Sequence, residues 1–376
     1  MRMVSKPTVQ LGDICKPQQW ATIGSSELTE TGYRVHGANC FIGYYSEANH
    51  TRDVVAVSCR GENTGNVIYI PGPSYVTGNA MCLDDLDESK ADARWLCEFL
   101  KLRGLRDIIS GSAQPQIIQK DLSRVKIALP PLAEQRKIAE ILRTWDEAIE
   151  TAEAELKAKQ ERKRWLMGKL IDRGSAHLAS GSGRTKYRLR EITSMASGGT
   201  PKTSVPQYFG GNIPWVSISD MTAGSSYIYE AKTFITEEGL SNSSARIFNK
   251  GTVLFAMYAS IGECRIAGLD LTTSQAILGI IPKPTIRSEY LYYYLCRIKE
   301  SAKSHGQTGT QANLNKGIVG DFEISLPSLG EQDQILEILK ATDGEIEGSV
   351  KLADSLRSQK RGLMQKLLTG EVRVAA

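Results

Sequence analysis

Arg60, Asn63, Thr64 and Asn66 stand close together in the segment CRGENTGN, and a second polar stretch, GSAQPQII from Gly111, adds Gln114 and Gln116. Further on the chain offers Lys202 and Thr203 in GGTPKT, Tyr258 and Ser260 in YASIGE, and Gln307, Thr310 and Gln311 in GQTGTQANLN. Guanidinium and carboxamide groups can grip base edges with two hydrogen bonds, and hydroxyls and ammonium groups can address bases or phosphates. These side chains suit a surface that reads nucleic acid. Gly, Asn and Ser are also what ordinary hairpin loops favour, so each loop alone stays open between the two readings. A reaction is harder to find. No NPPY or DPPY motif accompanies a methyl-donor loop, GSGRTK near 181 lacks the GK[ST] ending of a phosphate loop, and HExxH is absent. His36, His50, His177 and His305 lie far apart. We assign no catalytic residue and no metal ligand, and expect binding rather than chemistry.

Composition agrees with a soluble globular chain, 41% hydrophobic and 23% charged over 376 residues, enough for two domains. The net charge of +4 permits nucleic-acid binding without demonstrating it. Seven cysteines, an odd number without a CxxC pair, point to reduced core thiols rather than disulfides or zinc. No run of about 18 apolar residues occurs, and MRMVSKPTVQLGD lacks the apolar core of a signal peptide. The expected location is cytoplasmic, with no membrane partner.

The candidate residues need a frame, and an internal repeat supplies it. IALPPLAEQRKIAEIL at 127–142 recurs as ISLPSLGEQDQILEIL at 324–339, and Lys163-Arg164, Leu166-Met167 and Lys169-Leu170 recur as Lys360-Arg361, Leu363-Met364 and Lys366-Leu367, always 197 residues on. A gap-free match of this length implies a rigid element whose length matters. Prolines 130, 131 and 327 stand just before a helical pattern, where proline costs little. Leu142, Ile149, Leu156 and Leu170, and Leu339, Ile346, Ala353 and Leu367, follow a heptad seam interrupted by Lys163 and Lys360. Acids dominate the first half of each repeat and bases the second, so side-by-side helices match only if antiparallel. Each helix would run roughly 55 Å. Gly168, Gly344, Gly348 and Gly362 interrupt good helix formers and raise the expectation of bends.

The expected organisation is a first domain at 1–126, opening almost at Met1, a long helix at 127–173 and a Gly/Ser-rich linker at 174–186. A second domain at 187–323 and a C-terminal helix at 324–370 complete it. Strands are expected at VQLGDI (9–14), DVVAVSC (53–59), NVIYI (66–70), YRLREI (187–192), GTVLFAMYA (251–259) and QAILGII (275–281), with short helices near 91–103 and 288–304. The domains recur at their ends and diverge in their middles. The fold class is α+β: two globular strand-rich domains separated by two long antiparallel coiled-coil helices, a dumbbell.

With PPLAEQRKIAEIL and LPSLGEQDQILEIL opening the helices, GGTPKT…YFGGNIPWVSISDM at 198–221, TGTQANLNKGIV at 308–319, GNAMCLD at 78–84 and LLTG at 367–370, the chain resembles the specificity subunit of a type I restriction-modification system over essentially its whole length. The resemblance implies two target-recognition domains, each reading half of a bipartite site on double-stranded DNA. The helices would act as a ruler and as docking surfaces for two methyltransferase (modification) subunits, with Glu134, Gln135, Ile138 and Trp145 and Glu331, Gln332, Ile335 and Ile346 as docking residues. S-adenosylmethionine would sit in the methyltransferase subunits, ATP and Mg²⁺ in motor-nuclease (restriction) subunits, and no cofactor in this chain. Two other classes compete: a stand-alone site-specific DNA methyltransferase or nuclease, and a coiled-coil assembly scaffold.

Overall fold

The computed structural model describes residues 8–38, 40–111, 114–173, 184–222, 225–258, 260–299 and 314–374. The chain divides into two compact units, Met1–Glu153 with Lys351–Ala376, and Ala154–Val350. The central helix, Leu132–Met167, and the C-terminal helix, Leu329–Thr369, are each shared out between the units.

The first unit holds a four-stranded antiparallel sheet in the order Lys16–Gln19, Ala80–Asp84, Val54–Ser58, Val67–Ile70. Its inner strand, VVAVS, is buried throughout, as a run rich in β-branched residues should be. A smaller sheet places Tyr33–His36 antiparallel to Phe41–Tyr45 and parallel to Ser74–Val76. The second unit repeats both. Its larger sheet runs Thr193–Ser197, Ile277–Pro282, Val253–Ala256, Cys264–Ala267, with Tyr227–Ile228 added parallel at the edge. Its smaller one sets Phe209–Val216 antiparallel to Thr233–Ile235 and parallel to Thr272–Thr273. The middles that diverge in sequence thus share one topology. Strand order survives residue changes because it depends on which positions are buried, not on which apolar residue buries them.

The expected strands at the openings of the two units are cut short. VQLGDI and YRLREI are short strands, Thr8–Gln10 and Thr185–Arg188, each followed by a helical turn. The carboxylates of Asp13 and Glu191 accept from the backbone N–H of Gln10 and Arg188 at 2.8 and 2.6 Å, which starts the turn where strand was expected. The central helix passes into a π-helical stretch at Gly168–Arg173. Gly344, Gly348 and Gly362 leave the C-terminal helix continuous.

The helices are antiparallel within each unit. In the second, Lys163 pairs with Asp343, Arg162 with Glu345 at 2.5 Å, and Lys159 donates to Ser349 Oγ at 2.9 Å. In the first, Lys360 meets Asp146 at 2.5 Å and Arg357 meets Glu153 at 2.6 Å. Asp146 and Asp343 are themselves repeat equivalents, so the two seam lysines make the same bond in opposite senses. Lys163 also lies 5.4 Å from the Tyr293 ring centre, and Lys360 lies 3.4 Å from Glu98.

The helix starts do work that their sequence disguised. Gln135 is fully buried: its amide donates to the carbonyls of Lys90 and Pro130 at 2.8 and 2.9 Å, and its oxygen accepts from Asp92 N–H at 2.9 Å. Gln332 repeats this with Thr285, Pro327 and Arg287 at 3.0, 3.0 and 2.9 Å. Each glutamine thereby ties its long helix to the start of a short one, Ala93–Arg103 or Ser288–Arg297. Beside them, Glu134 is held by Arg373 through two bonds of 2.7 and 2.6 Å, and Glu331 by Arg184 at 2.7 Å. Ile138 and Ile335 are core residues. These six, expected as docking residues, are buried and engaged inside their own units. Trp145 and Ile346 keep partial exposure.

Replacing Gln135 or Gln332 by alanine strands two carbonyls and one N–H in the interior. We predict a loss of about 3 kcal/mol from the unit concerned, read by urea unfolding; a loss below about 0.5 kcal/mol would contradict the role given to these amides.

Candidate nucleic-acid interface

In the first unit the inner strand and its neighbour close with Ser58 N–H on Asn66 O and Gly65 N–H on Ser58 O, both 2.8 Å. The loop between them, 60–66, folds back on itself through Thr64 N–H to Gly61 O and Asn66 N–H to Asn63 O, both 3.1 Å. The second polar stretch docks against it. Ile117 N–H reaches Cys59 O at 3.0 Å, Ser110 and Gln116 exchange backbone bonds of 2.9 and 2.8 Å, and Arg60 faces Gln116 across a β-bridge. Arg60, Asn63, Asn66, Gln114 and Gln116, far apart in sequence, therefore share one exposed region. Thr64 is half-buried between the two segments: its hydroxyl lies 2.6 Å from Gly61 O and 3.0 Å from Pro115 O, which fastens them together.

The second unit builds the same closure, with Ala256 N–H on Glu263 O at 2.9 Å and Gly262 N–H on Ala256 O at 3.0 Å. Gly65 and Gly262 take φ of +91° and +81°, a left-handed turn that glycine adopts without strain. Leu314 N–H bonds Met257 O at 3.1 Å, the counterpart of Ile117 on Cys59: Leu314 lies one repeat length after Ile117, and the strand end is shifted by one residue more. Tyr258 and Ser260 are exposed on this loop, beside the buried Ile261. Gln307, Thr310 and Gln311 lie outside the described residues.

Lys202 and Thr203 are exposed on a neighbouring turn. Gly198 and Gly199 bond Ile277 O and Thr273 O at 3.1 and 2.9 Å, Thr200 bonds the Gln275 side chain, and Met257 N–H reaches Ala276 O at 2.9 Å. The 200–203 turn and the Tyr258 loop thus both rest on residues 273–277. A Cβ on Gly198 would meet Thr273 O at 2.3 Å, so the approach requires glycine.

Electrostatics mark a surface that does not suit DNA. A cleft of 490 Å³ in the first unit is lined by Asp53, Asp84, Asp85 and Glu88 against the single Arg52. Phosphates would be repelled there. One group among the described residues has metal-ligand types together: His50, Cys82 and Asp84, with ligand atoms within 4.8 Å. The His50 Nε2 lies 2.9 Å from Asp84 Oδ1, its Nδ1 lies 2.7 Å from Asn49 Oδ1, and Trp20 Nε1 donates to the other Asp84 oxygen at 2.8 Å. Burial, then Asp84, pushes the Cys82 thiol far above its usual range. The ring and carboxylate satisfy one another and the thiol stays protonated, which describes a structural hydrogen-bonded cluster better than a metal site. Cys15, Cys59, Cys97 and Cys264 are buried thiols too, and no disulfide is formed.

Two units of one topology, each with exposed polar loops at matched positions, define an internally duplicated binding protein. The chain belongs to the family described as type I restriction modification DNA specificity domain, whose model matches residues 3–160 and 182–353. It is 38% identical over 168 residues to the type I restriction enzyme MjaIX specificity subunit of Methanocaldococcus jannaschii, covering 44% of this chain and 39% of the relative. A putative MjaX specificity subunit from the same organism is 28% identical, with 69% of this chain and 62% of the relative aligned. The chain thus spans less than two thirds of either. The MjaVIII specificity subunit is 26% identical, over 84% of this chain and 78% of the relative. Among solved structures, the type I restriction-modification S subunit from M. genitalium matches with a TM-score of 0.65 at 17% identity, over 98% of each chain, a likeness of fold. No helix among the described residues is long and apolar enough to cross a membrane.

Gly198→Ala should destabilise the second unit by about 2 kcal/mol or more, measured by urea unfolding, because the new methyl meets backbone. An unchanged midpoint would show that the turn does not pack as described.

Proposed function

We propose that this chain is the non-catalytic DNA-recognition subunit of a type I restriction-modification complex. Each unit reads one half of a bipartite site on double-stranded DNA. The observation that carries this reading is the matched pair of loops: one strand closure, one backbone bond from a later segment (Ile117 to Cys59, Leu314 to Met257), and different side chains in each, Arg60 and Asn63 against Tyr258 and Ser260. Shared scaffolds with different reading groups suit two unlike half-sites.

The long helices set the unread gap and receive two methyltransferase subunits. Support comes from their continuity over 36 and 41 residues, and from side chains that no internal contact buries. Trp165, Val350 and Leu352 are exposed, and Trp145 and Ile346 partly so. Methyl transfer to adenine would use S-adenosylmethionine held by the methyltransferase subunits. Motor-nuclease subunits with ATP and Mg²⁺ would cut unmethylated DNA.

In the assembled methyltransferase complex, Arg60→Ala with Asn63→Ala should relax the methylated motif in one half only, and Tyr258→Ala with Ser260→Ala in the other. Each lost base contact is expected to cost about tenfold or more in discrimination. Simultaneous loss of both halves from either variant would oppose the assignment. Inserting one helical turn after Glu150 should alter the gap and leave both half-sites intact; an unchanged gap would refute the ruler.

A further inference from the structure

The first unit carries a hairpin rich in exposed large apolar residues. Tyr33, Phe41, Ile42 and Tyr44 are 37–42% exposed, and all four belong to the hairpin formed by Tyr33–His36 and Phe41–Tyr45. Large apolar side chains so concentrated on a soluble surface mark a binding site more often than an accident. Their arrangement is specific. Arg34 and Tyr44 are cross-strand partners, the Arg34 guanidinium lies 5.1 Å from the Phe41 ring centre, and Tyr44 meets Phe41 edge-on at 5.2 Å. The turn of the hairpin is fastened to the candidate interface, since Ser58 Oγ donates to Ala38 O at 2.6 Å where the inner strand enters the Arg60 loop.

We propose that this hairpin is a second DNA-contacting element of the first unit, with Arg34, Phe41 and Tyr44 helping to determine the half-site. The proposal rests on the reading of the chain as a DNA-recognition subunit. Charge favours DNA over a protein partner: residues 33–45 carry Arg34 and no acid. A two-stranded ribbon fits the major groove, where apolar groups read the thymine methyl and an arginine stacked on an aromatic ring stays oriented for guanine or phosphate. The topologically matching strand of the second unit, Thr233–Ile235, also exposes an aromatic residue, Phe234.

The test uses the assembled methyltransferase complex, with Phe41→Ala/Tyr44→Ala and, separately, Arg34→Gln, a surface change with little risk to folding. Complex mass is read by mass photometry, and affinity by fluorescence anisotropy on the duplex that the wild-type complex methylates. The same duplex with either half scrambled serves as the control. The expected result is normal assembly, about tenfold weaker binding for the double variant and several-fold for Arg34→Gln. The defect should vanish when the first unit's half-site is scrambled. Unchanged affinity in an assembled complex overturns the proposal. So does a folded variant that no longer assembles, which would make the face a protein-docking surface. If Phe41→Ala/Tyr44→Ala does not fold, Arg34→Gln decides. A wild-type complex with no preference for any bipartite duplex would instead remove the recognition reading itself, and this proposal with it.

Discussion

Each unit completes its hydrophobic core with segments about two hundred residues apart. In the first, Ile138, Ala139 and Leu142 from the start of the central helix pack with Leu367 and Leu368 from the end of the C-terminal helix, around Trp95, Leu96 and Leu100. In the second, Met167, Leu170 and Ile171 from the end of the central helix join Ile335, Leu336 and Leu339 from the start of the other, around Tyr290, Leu291 and Leu295. A buried Leu or Ile is worth about 1.5–3 kcal/mol, so neither unit can spare the distant helix end. The antiparallel pairing follows from this exchange, and the loops are positioned by what it holds.

Polar groups refine what apolar burial drives. Most ion pairs along the helices are half exposed and contribute about 1 kcal/mol or less each. The buried ones differ in kind. Arg184 and Glu331 are only 10% and 5% exposed, so losing either partner would leave a charge in the interior. Each unit takes its arginine from the segment after one long helix and its glutamate from the start of the other. That choice, with Gln135 and Gln332 locking each helix start to a short helix, fixes which end meets which.

The repeat at an interval of 197 made the helices and their direction legible, because a gap-free match and a charge gradient are properties of sequence alone. It also hid something. Glu134, Gln135 and Ile138 look like surface features repeated for a partner, yet a polar residue that recurs can recur because it is buried and satisfied. The common topology of the middles was not legible, since Val54–Ser58 and Val253–Ala256 agree in burial rather than identity. The loops were found by position, through Arg60 and Tyr258, whereas the fastening role of Thr64 depends on Pro115, fifty-one residues away. The hairpin Tyr33–Tyr45 was not legible because Tyr33, Phe41, Tyr44 and Tyr45 follow no period-two alternation that would assign them to one face.

The account stands most directly on whether two units of one topology direct modification at a two-part DNA sequence. A genome-wide map of methylated adenines, made in the host with the gene present and deleted, measures this. The account predicts that methylation at a bipartite motif with a fixed gap disappears on deletion and returns when the gene is restored. A host that methylates such a bipartite motif identically with and without the gene would contradict it.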